Sequence, residues 1–194
     1  HIIFVSYSSS FETPTLNELS ANPSGDRGFN SDLSPSNARN LELGWRYTTS
    51  ENTLEATLYG INTQNEILPY ELAAFPNQDF YRNTGNTQRM GIELFWEHQK
   101  GPLDWTVAYN YAALKFDDYV LGDKNLSGNH MPGFPEHQLT TSLQYNFSQG
   151  WIIALQSQYI GALYADDANQ TRVPDYFLAN IRLWKSFEGF SFFG

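Results

Sequence analysis

Four histidines are the residues most able to ligate a metal or move a proton: His1, His98, His130 and His137. None has the His-Glu-x-x-His spacing that sets two imidazoles on one helix face around zinc. Cysteine is absent, which removes thiolate catalysis, disulfides and cysteine-ligated zinc together. There is no Gly-x-Ser-x-Gly turn to expose a nucleophilic serine, and no glycine-rich phosphate loop or basic run. Asp117-Asp118 would point to opposite faces of an extended chain. Asp166-Asp167 with Asn169 offers oxygens of the kind Ca²⁺ takes, although a solvated acidic loop is the simpler reading. No catalytic residue, resident metal or cofactor is expected, so the chain does not read as an enzyme.

What remains is recognition chemistry. Acidic side chains cluster in segments that read as loops (Glu12, Glu18, Asp26, Asp32, Glu71, Asp79, Asp118, Asp123, Asp166, Asp167) and outnumber the basic ones there (Arg27, Arg82, Lys124). Such a field draws cationic or metal-bearing solutes and repels bare polyanions. The same segments carry Phe29, Tyr70, Phe80, Tyr81, Phe134 and Tyr164, rings that can stack on a planar chelate and are the expected ligand contacts. His130-Met131 lies among them and could touch a metal chelate.

The elements that hold these loops follow from composition and period. The 194 residues are 41% hydrophobic and 16% aromatic but only 16% charged, which excludes intrinsic disorder. A formal charge of -10 argues against a nucleic-acid partner. With a mean hydropathy of -0.46 and no long apolar run, no transmembrane helix is expected. Large rings interleaved with polar residues instead suit a sheet with one oily and one wet face.

Alternation with period two runs along nearly the whole chain. Leu41, Leu43, Trp45 and Tyr47 oppose Asn40, Glu42, Gly44 and Arg46. Met90, Ile92, Leu94 and Trp96 oppose Arg89, Gly91, Glu93 and Glu97, and Leu103 to Tyr111 behaves likewise. Leu139, Thr141, Leu143, Tyr145 and Phe147 oppose Gln138, Thr140, Ser142, Gln144 and Asn146. Nothing comparable repeats at helical spacing, so the chain is all-β.

The connections alternate between long and short. Long loops are expected over about 12–37, 67–87 and 118–136, with a shorter one over 166–171. Tight turns fall at Ser50-Glu51-Asn52, Lys100-Gly101-Pro102, Ser148-Gln149-Gly150 and Phe187-Glu188-Gly189. In an antiparallel up-and-down meander this collects every long loop on one rim, as in outer-membrane β-barrels. The apolar faces are long enough to cross a hydrocarbon layer with roughly 9–11 tilted residues. Trp45, Tyr47, Trp96, Trp105, Trp151 and Trp184 stand near strand ends, where amphipathic rings form interfacial girdles. With the apolar face toward lipid, Glu42, Arg46, Glu93, Glu97, Gln138 and Gln144 face a wet lumen.

Several segments carry a family resemblance. Phe11-Glu12-Thr13-Pro14-Thr15-Leu16-Asn17-Glu18-Leu19, then Gly28 through Gly44 with its Asn30-Ser31-Asp32-Leu33 turn, in which Ser31 replaces the family's commoner Pro, resemble stretches of the barrel domain of TonB-dependent outer-membrane receptors. Tyr81-Arg82-Asn83-Thr84-Gly85-Asn86-Thr87-Gln88-Arg89-Met90-Gly91-Ile92-Glu93 is similar to that family's Asn-x-Gly…Arg-x-Gly-x-Glu strand start. Pro135-Glu136-His137-Gln138-Leu139 and Val173-Pro174-Asp175-Tyr176 resemble its leads into later strands. Each string is short; their order over the whole chain carries the resemblance.

The resemblance implies that residues 1–194 are a partial barrel domain of about nine strands, where the family has ~22, with the plug domain and the final strands absent. It implies active uptake of a metal chelate, a ferric siderophore before other cargoes, across the outer membrane of a Gram-negative bacterium. Its partners would be the chelate, outer-membrane lipid and, through the missing N-terminal part, the TonB complex. The stretch Phe11 to Leu33 contains no histidine, which disfavours haem as cargo. The competing expectation is a soluble or cell-surface β-protein that binds glycan or peptide through aromatic loops. That reading requires a second layer over the apolar face.

Overall fold

In the computed structural model the chain is described over residues 1–25, 28–72, 74–83, 85–187 and 190–193, with 186–187 and 190–193 described through their backbone alone. Asp26, Arg27, Glu188 and Gly189, named above for the loop field and the last turn, lie outside the described residues.

Long alternating segments become long strands. β1 (Ile2–Glu12), β2 (Ser36–Thr48) and β3 (Asn52–Gln64) open the sheet. The hairpin β4 (Ile67–Leu72) and β5 (Phe75–Asn83) follows, then β6 (Asn86–Lys100) and β7 (Leu103–Phe116). A two-residue pair, β8 (Val120–Leu121) and β9 (Lys124–Asn125), precedes β10 (His137–Asn146) and β11 (Trp151–Ile160). A second such pair, β12 (Leu163–Tyr164) and β13 (Arg172–Val173), precedes β14 (Tyr176–Phe187) and β15 (Phe190–Phe193). The nine-stranded sheet has the order β1-β2-β3-β6-β7-β10-β11-β14-β15, antiparallel throughout, and the three short hairpins stand apart from it.

The expected loop over 67–87 is therefore largely a β-hairpin, and the first long loop contains a short helix, α1 (Leu16–Ser20). The helix starts because Thr15 and Glu18 form a reciprocal cap. The Thr15 backbone N–H donates to Glu18 Oε2 at 2.6 Å, and the Glu18 N–H donates to Thr15 Oγ1 at 3.4 Å. The turn Lys100-Gly101-Pro102 closes tightly because Gly101 takes φ of +57°, a conformation open to a residue without Cβ.

Register carries the two-face pattern across strands. Leu43 stands opposite Val5 and Leu58, Leu58 opposite Ile92, and Leu143 opposite Trp105 and Leu155. These apolar positions have no second layer over them: Leu41 is 57% exposed and Leu94 40%. The covering sheet that a soluble sandwich needs is absent among the described residues. No helix is long and apolar enough to cross a membrane, which leaves crossing by strands untouched.

Closed packing lies instead in the loops. Phe116, Tyr119, Leu126 and Met131 form the buried cluster, with Leu68, Leu114, Leu121 and Ala168 against it. At the opposite, tight-turn end, aromatic rings edge the apolar face. His1 stacks on Tyr47 at 4.4 Å, Trp96 meets Trp105 edge-on at 4.8 Å, and Tyr145 meets Phe147 at 4.6 Å. The Trp96 indole N–H donates to Asn52 Oδ1 at 3.2 Å, so this ring keeps a polar end satisfied. Trp184 departs from the expected girdle. It stands opposite Ile152, whose neighbouring pair is Arg182 with Ala154, and this places it on the polar face.

Candidate functional site

The polar face assembles by register. Arg46 stands opposite Glu55, Glu55 opposite Phe95, and Glu93 and Glu97 flank Phe95 on the same face. Glu93 stands opposite Asn110, and Asn110 opposite Gln138. Gln144 stands opposite Asp104, which is opposite Gln99. Glu42, Arg46, Glu93, Glu97, Gln138 and Gln144 thus share one surface, the one away from Leu43, Leu94 and Leu143. Arg46 grips Glu55 through two nitrogens, Nε to Oε1 at 2.8 Å and Nη2 to Oε2 at 3.2 Å. In this wet setting the pair adds no more than about 1 kcal/mol and serves mainly to orient both side chains. Beside it a cavity of about 350 Å³ is lined by Glu55, Glu93, Asn110, Gln138 and Thr140, carboxylates and neutral amides together.

Toward the loops the same face is knotted by charge. Glu66 accepts from the Thr87 hydroxyl and pairs with Arg89, whose Nη1 donates to Thr63 Oγ1 at 3.0 Å. This ties β3, β6 and the hairpin base together where the meander passes into its loops.

The loops pin one another over long sequence separations. Arg82 Nη2 donates to the Tyr119 hydroxyl at 2.7 Å, and that hydroxyl donates to Asp167 Oδ2 at 2.9 Å. The Arg82 guanidinium also lies over the Tyr70 ring at 4.6 Å. Burial, then the bond and charge of Asp167, push the Tyr119 hydroxyl above its ordinary pKa, with Arg82 opposing. Asn169 clasps the His130 backbone from both sides, accepting its N–H and donating to its carbonyl, each at 2.8 Å. Asp166 accepts the N–H groups of Gln170 at 3.0 Å and Thr171 at 2.6 Å, and these bonds hold its carboxyl below the usual range.

These bonds engage the three side chains whose oxygens could have offered Ca²⁺ a site. Asp166 is folded onto its own turn, Asp167 serves Tyr119, and Asn169 serves His130. Among the described residues no trio of His, Asp or Glu side chains is grouped to hold a metal ion.

The six aromatic ligand candidates separate. Phe29 is 61% exposed and Phe134 51%. Tyr81 and Tyr164 are half-buried, with Tyr164 against the His130 ring at 5.8 Å. Tyr70 is half-buried under Arg82. Phe80 is a correction: at 1% exposure it is wedged between Tyr70 at 6.1 Å and Phe75 at 5.6 Å. Register explains this. Phe80 and Arg82 share the hairpin face with Leu68 and Tyr70, the face that packs on the loop core, while Tyr81 takes the other. The Phe80 ring holds the hairpin together and is closed to a ligand. Sequence reading missed Arg82, Tyr119 and Asp167 as a unit, because nothing local joins residues so far apart along the chain.

A profile described as TonB dependent receptor-like, beta-barrel matches residues 1–193. The chain belongs to that family. Its members are transport proteins of the Gram-negative outer membrane, not enzymes, and the all-β meander corresponds to part of their barrel. Among curated proteins, the ferrioxamine receptor of Yersinia enterocolitica is 30% identical over 151 residues, 76% of this chain. The chain spans only 20% of that receptor's length. Among solved structures, the ferric yersiniabactin uptake receptor from Yersinia pestis superposes with a TM-score of 0.70 at 21% identity, over 94% of this chain and 27% of the other. The copper transporter OprC does so with a TM-score of 0.72 at 16% identity, over 94% and 28%. Likenesses at these identities establish the fold alone.

Proposed function

We propose that residues 1–194 form part of the barrel of a TonB-dependent receptor that takes up a metal chelate, a ferric siderophore above other cargoes. In this reading the face bearing Glu42, Arg46, Glu93, Glu97, Gln138 and Gln144 lines the lumen, and the opposite face meets lipid. Phe29, Tyr70, Tyr81, Phe134 and Tyr164 stand where a chelate arriving from outside would first be met. The TonB complex would act through the plug domain of the full-length receptor.

One observation carries the reading. Every carboxylate in the strands of the large sheet (Glu12, Glu42, Glu55, Glu93, Glu97, Asp104) lies on one face by register, and the other face is apolar across the sheet's middle. A wall between water and hydrocarbon requires that sorting. The name of the ferrioxamine receptor supports iron as the cargo metal.

The test uses the full-length receptor in a host lacking other iron-chelate uptake. Accumulation of radio-iron from ferrioxamine or another ferric siderophore, lost on deleting TonB, is expected. Uptake of no ferric siderophore by a correctly inserted receptor would overturn the cargo. Single cysteines at Gln138 or Glu93 should react with hydrophilic maleimides, while cysteines at Leu43 or Leu94 should be quenched by lipid-borne spin labels. The reverse pattern would overturn the face assignment.

A further inference from the structure

Register sorts the cations as it sorts the carboxylates. Along the apolar face of the large sheet the charged residues are Arg39, Lys100, Lys115 and Lys185, all positive and all at its ends. Lys100 and Lys185 stand at the tight-turn end, where Lys100 pairs with Glu51 at 3.1 Å and Lys185 lies over the Trp151 ring at 5.1 Å. Arg39 and Lys115 stand at the loop end, exposed, and neither has an ion pair among the described residues.

These two belong to one transverse row. Arg39 is opposite Asn62, Asn62 opposite Gln88, and Gln88 opposite Lys115. The adjoining row toward the middle of the sheet is Leu41, Gly60, Met90 and Ala113. Apolar cover therefore gives way in a single step to a line of two cations with two amides between them. Adjacent strands are about 4.8 Å apart, so the cations are roughly 14 Å apart across three spacings. A cavity of about 790 Å³ opens above Arg39 and Asn62, with Asp117 the carboxylate on its lining.

We propose that this row is a binding site for the phosphorylated headgroup of a lipid in the loop-side leaflet. Arg39 and Lys115 contact phosphate, and Asn62 and Gln88 donate hydrogen bonds between them. The proposal rests on the reading above that this face meets lipid. Charge complementarity and continuity with the apolar band argue for a lipid rather than a free ion. Acyl chains would lie along Leu41 and Met90 while their headgroup meets the cations, and long basic side chains reach from apolar surface to phosphate at that depth. In a chain of net charge -10, the absence of any strand carboxylate from this face leaves the row an attractive point for an anion.

The test is retention of lipid by the full-length receptor. After extraction in mild detergent and exchange into nanodiscs holding phosphorylated lipid A, native mass spectrometry counts bound molecules. Arg39→Gln with Lys115→Gln should reduce retention roughly tenfold or more, since each basic residue near an anionic surface acts nearly independently. Arg39→Lys with Lys115→Arg should retain it, as should Lys124→Gln, a loop cation off the row. Dephosphorylated lipid A should bind weakly to all of them. Unchanged retention in the double glutamine variant, equal retention of dephosphorylated lipid, or tight binding of inorganic phosphate alone would overturn the proposal. Lipid contact at cysteines replacing Leu43 and Leu94, measured alongside, separates its failure from failure of the membrane reading. If those positions meet lipid while the double variant is silent, only this inference falls.

Discussion

Arg82 and Tyr119 meet side chain to side chain at 2.7 Å although 37 residues separate them in the chain. The contact joins the hairpin after β3 to the loop after β7, and Asp167 extends it to the loop after β11. These three loops are therefore one packed unit above the sheet, with Phe116 and Met131 sealed beneath. The Asn30 amide ties the first long loop to it by donating to the Tyr81 carbonyl at 3.2 Å. A rim of this kind presents rings such as Phe29 and Phe134 on a fixed support.

Tyr119→Phe removes the hydroxyl that both accepts from Arg82 and donates to Asp167, and leaves the ring to pack. A cost of about 1–3 kcal/mol to local loop stability is expected, because Arg82 and Asp167 lose a partner in a half-buried site. Hydrogen exchange on the full-length receptor should accelerate over 117–131 and 165–171. β6 and β10 should be unchanged. Equal exchange in both proteins would show that the hydroxyl bonds contribute nothing.

Two loop groups set a pH window. Tyr119 has its pKa raised above 10.0 mainly by burial, so its stabilisation is fully present below pH 10.0 and is lost as pH rises through the higher folded value. Asp166 has its pKa lowered from 3.8 by backbone bonds, so its contribution is present above that value and is lost as pH falls through the lower folded one. A spin label at the exposed Val120 should stay restrained across neutral pH and gain mobility at alkaline pH. A label replacing Ala165 should do so in acid.

Two strand glycines lie under aromatic rings and should respond differently to a methyl group. A Cβ at Gly44 would run into the tip of the Phe4 ring, which can swing away. One at Gly91 would meet the Tyr111 carbonyl as well as the Tyr59 ring. Gly44→Ala should be relieved by adding Phe4→Ala, whereas Gly91→Ala should keep a cost of about 1–3 kcal/mol even beside Tyr59→Ala. Heat-modifiable gel mobility of the full-length receptor reads both. Rescue in the Gly91 case would place the obstacle in the side chain alone.

A charge distinguishes the two faces at neighbouring positions. Leu58→Lys, in the middle of the apolar face, should destabilise the folded barrel by about 2–4 kcal/mol in a bilayer, and Thr57→Lys by close to nothing. Urea unfolding of the full-length receptor in lipid vesicles measures both. Equal costs would contradict a lipid-facing surface at Leu58.

Much of this architecture was legible in the chain. Side chains on an extended backbone alternate whatever else happens, so Leu41 to Tyr47 or Leu139 to Phe147 announce a two-faced strand by themselves. The order of long and short connections is equally local, and it predicted the meander. Trp184 shows the limit. Tyr176–Phe187 is apolar at Phe177, Leu178, Ile181 and Leu183, so its period leaves the phase undecided, and pairing with β11 alone assigns the tryptophan to the polar face.

The sequence by itself determined the all-β class, the phase of the well-patterned strands and the family, because each rests on period or on short strings of neighbours. Tertiary structure decided which loop rings are open and which sealed, how Arg82 finds Tyr119, and that Arg39 and Lys115 share a row. Those facts depend on register and packing between segments far apart in the chain, where free energy is set by what each side chain meets rather than by what precedes it.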